Sequence, residues 1–163
     1  MISTDLQRAR GLLIDTNLLV LLVVGSASAT AIAGNKRLSA YTATDYKLLL
    51  SFVERFKSLF TTPHILTEVS NLIGCETKQQ QQGLEILKRL VQQMEEVVPA
   101  SSETMNLYTK SYLKFGLSDA SIHRVATDRL LVLTDDLDFC YYLQGQNMLA
   151  LNFNNLRTAY LLH

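Results

Sequence analysis

Tryptophan is absent from this chain of 163 residues, which holds two cysteines, two prolines and seven glycines. Cys75 and Cys140 lie far apart with no CxxC or Cys/His spacing, which excludes a disulfide scaffold and a zinc finger and suits a reducing cytosol. No Gly/Pro-rich linker, internal repeat or charge block divides the sequence, so one domain over residues 1–163 is expected. Fifteen Lys and Arg balance fifteen Asp and Glu, which excludes a polybasic protein and leaves any nucleic-acid contact to a local groove. Long apolar runs are lacking too. Leu18 to Val24 is the longest near the start, seven residues against the roughly 20 that a membrane span needs. Arg8 and Arg10 before it, and Gly25-Ser26-Ala27-Ser28-Ala29 after it, mimic a signal peptide. Asp15-Thr16-Asn17 interrupts the pattern, and the expectation is a retained segment in a soluble, cytoplasmic protein with no membrane contact.

What is present is alternation. Leu12-Leu13-Ile14 reads as a buried strand ending at Asp15, and a helix follows over Leu18 to Val24. The small and polar stretch from Gly25 to Ala40 predicts a mobile loop or a broken helix, so about 25–40 is treated as an irregular or inserted segment. Apolar positions recur at three and four from Thr44 to about Ser58, predicting a helix. Phe60-Thr61 is a short strand, and Thr62 with Pro63 opens a helix that runs to Gly74 and carries Glu68. A helix over Leu84 to Met94, a strand at Val97-Val98 and a helix from Ser102 to Lys114 come next. Ser118 would cap a helix from Asp119 to about Thr127. Leu130 to Leu133 is a strand, Phe139 to Leu143 a helix, and Met148 to Leu151 the last strand. This order predicts an α/β fold, a three-layer α/β/α sandwich around a central, mostly parallel sheet, with ligands bound outside the strand carboxyl ends where strand order reverses.

Acids fall at the places such a sheet reserves for ligands. Asp15 follows Leu-Leu-Ile, and Asp136 and Asp138 follow Leu-Val-Leu-Thr, so two hydrophobic strands deliver carboxylates to one edge. Asp119 begins a helix, and Glu68 sits among Ile65, Leu66, Val69 and Leu72 on another. Carboxylates brought together raise each other's pKa unless cations neutralise them, and all-oxygen donors suit Mg²⁺ or Mn²⁺. No His or Cys set competes for a softer ion.

The ordered set of Leu13-Ile14-Asp15-Thr16-Asn17, Thr62-Pro63-His64-Ile65-Leu66-Thr67-Glu68, Gly116-Leu117-Ser118-Asp119-Ala120-Ser121-Ile122, Leu133-Thr134-Asp135-Asp136-Leu137-Asp138-Phe139 and Leu151-Asn152-Phe153 resembles the PIN-domain nucleases, which include toxin ribonucleases of bacterial toxin–antitoxin pairs. The resemblance spans nearly the whole chain. It implies a PIN-like fold and hydrolysis of RNA phosphodiester bonds with Mg²⁺ or Mn²⁺. Asp15, Glu68, Asp119 and Asp136 would be the catalytic, metal-holding acids, with Asp138 a further ligand or supporting acid. Asn17 would give polar support and Thr134 a hydroxyl that orients the site. By the Thr-x-Asp reading Asp136 is the ligand and Asp135 points to solvent, with a shift by one as the open alternative. Implied partners are the RNA substrate, a cognate antitoxin protein and a second copy of the chain.

Each residue has a plainer reading. Asp15 can cap the helix after it, Asp119 can complement a helix dipole, and Asp138 can cap the next helix. His123, one turn after Asp119, is read as a structural histidine. Among the scattered basic residues Lys47, Arg55, Lys57, Lys110, Lys114, Arg124 and Arg129, Arg124 is the nearest candidate for contacting substrate. Leu18, Leu22, Phe52 and Phe56 either face a second copy or pack in the core. A rival function is a catalytically silent PIN-like module that binds RNA or protein, which metal titration would distinguish. A haloacid-dehalogenase-type phosphatase needs Asp-x-Asp where this chain has Asn17, and dinucleotide binding needs a GxGxxG that is missing after the first strand.

Overall fold

The computed structural model describes residues 9–126 and 129–161. The first strand, β1 (Gly11–Ile14), is wholly buried, as an apolar strand must be when neighbours flank both edges and helices cover both faces. Gly11 is required there: a Cβ would lie 2.8 Å from the Ser58 carbonyl oxygen and 2.5 Å from the Phe60 ring. On one side β1 pairs with β2 (Leu59–Thr61), which pairs with β3 (Met94–Glu96) at the edge. On the other it pairs with β4 (Leu130–Thr134), which pairs with β5 (Ala150–Asn152). All pairings are parallel, and the order is β3-β2-β1-β4-β5. Strand order therefore reverses between β1 and β4, where the carboxyl ends diverge and leave a crevice.

Helix α1 (Thr16–Ala27) is apolar all round and buried at nine positions, as suits a helix packed beneath others instead of one at the surface. It contacts α2 (Ala29–Gly34), α3 (Ala43–Val53), α4 (Pro63–Ile73) and α5 (Lys78–Val91). Helices α6 (Ser101–Leu107), α7 (Thr109–Phe115) and α8 (Leu117–Val125) follow β3, while α9 (Leu137–Gly145) joins β4 to β5 and α10 (Phe153–Leu161) follows β5. The architecture is the α/β sandwich expected from the alternation, with every described strand parallel. Among the described residues no helix is long and apolar enough to cross a membrane.

Several boundaries differ from expectation. Segment 25–40 is a broken helix and not an open loop: α1 runs on to Ala27, α2 follows, and a 3₁₀ turn spans Lys36–Leu38, anchored by the buried Ala31, Ile32 and Leu38. α3 stops at Val53, short of Ser58. The third strand is Met94–Glu96, since its register follows β2, whereas Val98 is 71% exposed. The helix expected over Ser102 to Lys114 breaks at Tyr108, where φ −115° and ψ 38° leave the helical region. β5 starts later, and α9 extends at both ends, over Leu137–Gly145. The N-cap of α8 is Gly116 and not Ser118; its φ of +91° permits the turn from α7 into α8. Thr127, the expected end of that helix, and Arg8 lie outside the described residues. Leu18, Leu22 and Phe52 are buried in the chain's own core, and the partly buried Phe56 packs against it.

Candidate active site

Asp15 leaves the end of β1, and its side chain accepts hydrogen bonds from two backbone N–H groups: Oδ1 from Leu18 (3.0 Å) and Oδ2 from Asp135 (3.0 Å). The first is an N-cap of α1, the plainer role open to Asp15. The second ties the end of β1 to the end of β4. Asp15 is only 5% exposed, and its pKa is raised well above the ordinary 3.8, by burial first and by the Asp135 carboxylate second. The Thr134 hydroxyl and the two backbone donors oppose that rise. Thr134 thus orients Asp15, and its oxygen also accepts from the Asp136 N–H (3.0 Å).

The other acids come from separate segments. Glu68 projects from α4, a helix started by the Thr62 cap and Pro63, and accepts a hydrogen bond from the Thr16 hydroxyl (3.1 Å). Thr16 also lies 3.4 Å from the Ser118 hydroxyl, so the starts of α1 and α8 meet beside α4. Asp119 stands in the first turn of α8, and its pKa rises from 3.8 to about 7 through burial and then the charges of Asp136, Glu68 and Asp135. Asp136 is exposed and caps α9, with Oδ1 accepting from the Phe139 N–H (2.9 Å).

Asp135 differs from the expectation that it points to solvent. It is half-buried, accepts from the Asn17 amide (3.3 and 3.4 Å) and from the Tyr41 hydroxyl, and faces Asp15. The reason is register: Ile14 pairs with Leu133, so residues leaving β4 after Thr134 emerge beside Asp15. Asn17 lines the cleft and holds Asp135 through its amide nitrogen.

Asp15, Glu68, Asp119, Asp135 and Asp136 line one cleft of about 160 Å³ with Thr16, Asn17, Ser118, Thr134, Phe115 and Arg37. Asp138 is exposed on α9 and does not line it. Arg124 does not either: it pairs with Glu103 (2.6 Å) and lies with Arg10, at the amino-terminal end of β1, by a different cavity. His123 is buried between the rings of Tyr108 and Tyr142, at 4.6 and 5.3 Å, with its pKa lowered by burial, and does not line the cleft.

Sequence reasoning missed Arg37, Tyr41 and Ser118 as parts of this site. Arg37 and Tyr41 come from the irregular segment and its exit, where no periodicity gives a direction. Ser118 was read only as a helix cap.

The donors in the cleft are carboxylate, amide and hydroxyl oxygens, which fit a hard divalent ion. A cation would also relieve the burial and repulsion that raise Asp15 and Asp119. As the side chains stand, no three His, Cys, Asp or Glu among the described residues are gathered closely enough to hold one ion. Exposed Asp136 and partly exposed Glu68 have room to move.

Fold and cleft together define an α/β sandwich with an acidic crevice at its switch point. Compared with models of protein families, with curated proteins and with solved structures, the chain finds no match.

Proposed function

We propose that this chain is a Mg²⁺- or Mn²⁺-dependent endoribonuclease of PIN-like type. One observation supports the reading above others: acids from four separate stretches of chain line a single cleft where strand order reverses. Asp15, Glu68, Asp119 and Asp136 would hold the ion, with Asp135 as a further acid. When bound, such an ion neutralises the carboxylates, polarises a phosphodiester and activates water. Hydrolysis adds water across one P–O bond, the hydroxyl to phosphorus and the proton to the leaving oxygen. For that, the chain's own groups hold a fixed geometry: the Leu18 and Asp135 N–H groups and the Thr134 hydroxyl orient Asp15, Thr16 orients Glu68, and Tyr41 and Asn17 orient Asp135.

The natural setting of this reading is cytoplasmic, with RNA as substrate and an antitoxin protein as the inhibiting partner. Purified protein is expected to cleave single-stranded RNA with Mn²⁺ and to stop with EDTA. Asp15→Asn and Asp119→Asn are expected to abolish cleavage. Cleavage that persists in both variants overturns the proposal. Wild-type protein that binds RNA or a protein partner but neither binds Mn²⁺ nor cleaves would instead support a silent binding module.

A further inference from the structure

Among the described residues, Arg37 is the one Lys or Arg lining a cleft that five carboxylates share. Its backbone is fixed. Arg37 sits in the 3₁₀ turn Lys36–Leu38, where its N–H donates to the Asn35 side chain (2.9 Å) and the next residue, Leu38, is fully buried. Its Nε donates to the Asn17 amide oxygen (3.2 Å), which aims the guanidinium along the wall of the cleft. Beyond that bond the side chain has no hydrogen bond among the described residues, and it forms no ion pair with any of the five acids. Asn17 is shared: its amide nitrogen holds Asp135 and its oxygen holds Arg37, so one side chain separates the cation from the carboxylate it would otherwise neutralise.

An exposed arginine beside a surplus of acids ordinarily pairs with one of them. This one keeps its two Nη groups, with four N–H donors, available at the mouth of the cleft. A polyanion approaching an acidic cleft needs an anchor separate from the ion that the acids hold, and a planar guanidinium matches two phosphate oxygens at once. We propose that Arg37 grips a backbone phosphate of the RNA strand beside the scissile bond, so that segment 25–40 is the part of the fold that holds substrate. This rests on the ribonuclease reading above. Arg37 is thus a substrate-binding residue, and the acids carry the hydrolysis.

The test compares the full chain with Arg37→Ala and Arg37→Lys, reading KM and kcat on a single-stranded RNA oligonucleotide with Mn²⁺. The same two substitutions in an Asp119→Asn background give Kd for that oligonucleotide across a KCl series. Arg37→Ala is expected to raise KM about 10- to 100-fold with kcat within about threefold. The slope of log Kd against log salt should fall by about 0.7, the share of one phosphate contact in a single strand. Arg37→Lys, which keeps the charge, should keep the slope and recover part of KM. Unchanged KM and slope, in a wild-type protein that does cleave, overturns the assignment of Arg37 and leaves the ribonuclease reading standing. A fall in kcat with KM and slope unchanged also overturns it, because Arg37 would then act only through Asn17 and Asp135. Wild-type protein that neither cleaves nor binds the oligonucleotide overturns the ribonuclease reading and this assignment with it.

Discussion

Replacing Asp119 with asparagine should make the metal-free protein more stable while it stops cleavage. Asp119 has no hydrogen bond or ion pair among the described residues, and its pKa rises from 3.8 to about 7 through burial and three neighbouring carboxylates. The folded state therefore binds this proton more tightly than the unfolded state does. Stability contributed by the protonated form is full below about pH 4 and is lost as pH climbs to about 7. Across that window the ionising carboxyl removes about 2–4 kcal/mol, the lower figure allowing for the partial exposure of the group. Asparagine keeps the shape without the charge. It forfeits a favourable helix-dipole interaction of about 0.3–1 kcal/mol in the first turn of α8. The net gain at pH 8 is then about 1–3 kcal/mol, or about 3–10 °C in Tm for a domain of this size. Thermal unfolding followed by circular dichroism in EDTA, at pH 4.5 and pH 8, reads it directly. The variant should exceed wild type by about 1 kcal/mol or less at the lower pH, where little of the window has been crossed, and by the full amount at the higher one. A variant less stable than wild type at pH 8, or a difference that ignores pH, would refute the electrostatic reasoning.

Other expectations use different contacts. Mn²⁺ at about 100 times its Kd should stabilise the wild type by about 2.7 kcal/mol at pH 7.5, and less below pH 5, where Asp119 holds its proton; differential scanning fluorimetry checks both arms. Tyr41→Phe removes the hydroxyl that donates to Asp135 and should cost about 1–2 kcal/mol by urea denaturation, with a loss of cleavage rate. Arg157→Ala leaves the buried Asp45 carboxylate, now paired at 2.7 Å, without its partner and should cost about 2–3 kcal/mol; adding Asp45→Asn should recover part of the loss, and additive effects of the two changes would contradict the pairing. Arg124→Ala should leave RNA cleavage within about twofold of wild type, because Arg124 pairs with Glu103 away from the acidic cleft.

The sheet was legible because its strands are buried on both faces. Leu12-Leu13-Ile14 and Leu130 to Leu133 are uninterrupted apolar runs, and such runs have few other places in a fold of this size. The acids at their ends could be read for the same reason, since a polar residue directly after a buried strand has to emerge at the sheet edge. Edge elements were read less well. Val97 and Val98 have high strand propensity, yet β3 is Met94–Glu96, whose glutamates are exposed, because an edge strand is chosen by register against β2 and not by its own hydrophobicity. Asp135 was assigned outward by counting from Thr134, which requires the β1–β4 register to be known. Arg37 and Tyr41 reach the cleft through short helical turns held by Ile32 and Leu38, and nothing periodic in Gly25 to Ala40 encodes that path. Arg124 was favoured by its closeness in sequence to Asp119, but one helical turn and a half carried it to the other side of α8.

Anomalous diffraction from crystals soaked in Mn²⁺ tests the central claim most directly. The account predicts a manganese peak in the cleft, within bonding distance of Asp15 and of at least two acids from Glu68, Asp119, Asp135 and Asp136. A fully soaked crystal with no peak there, or with manganese held only by surface carboxylates elsewhere, would contradict it.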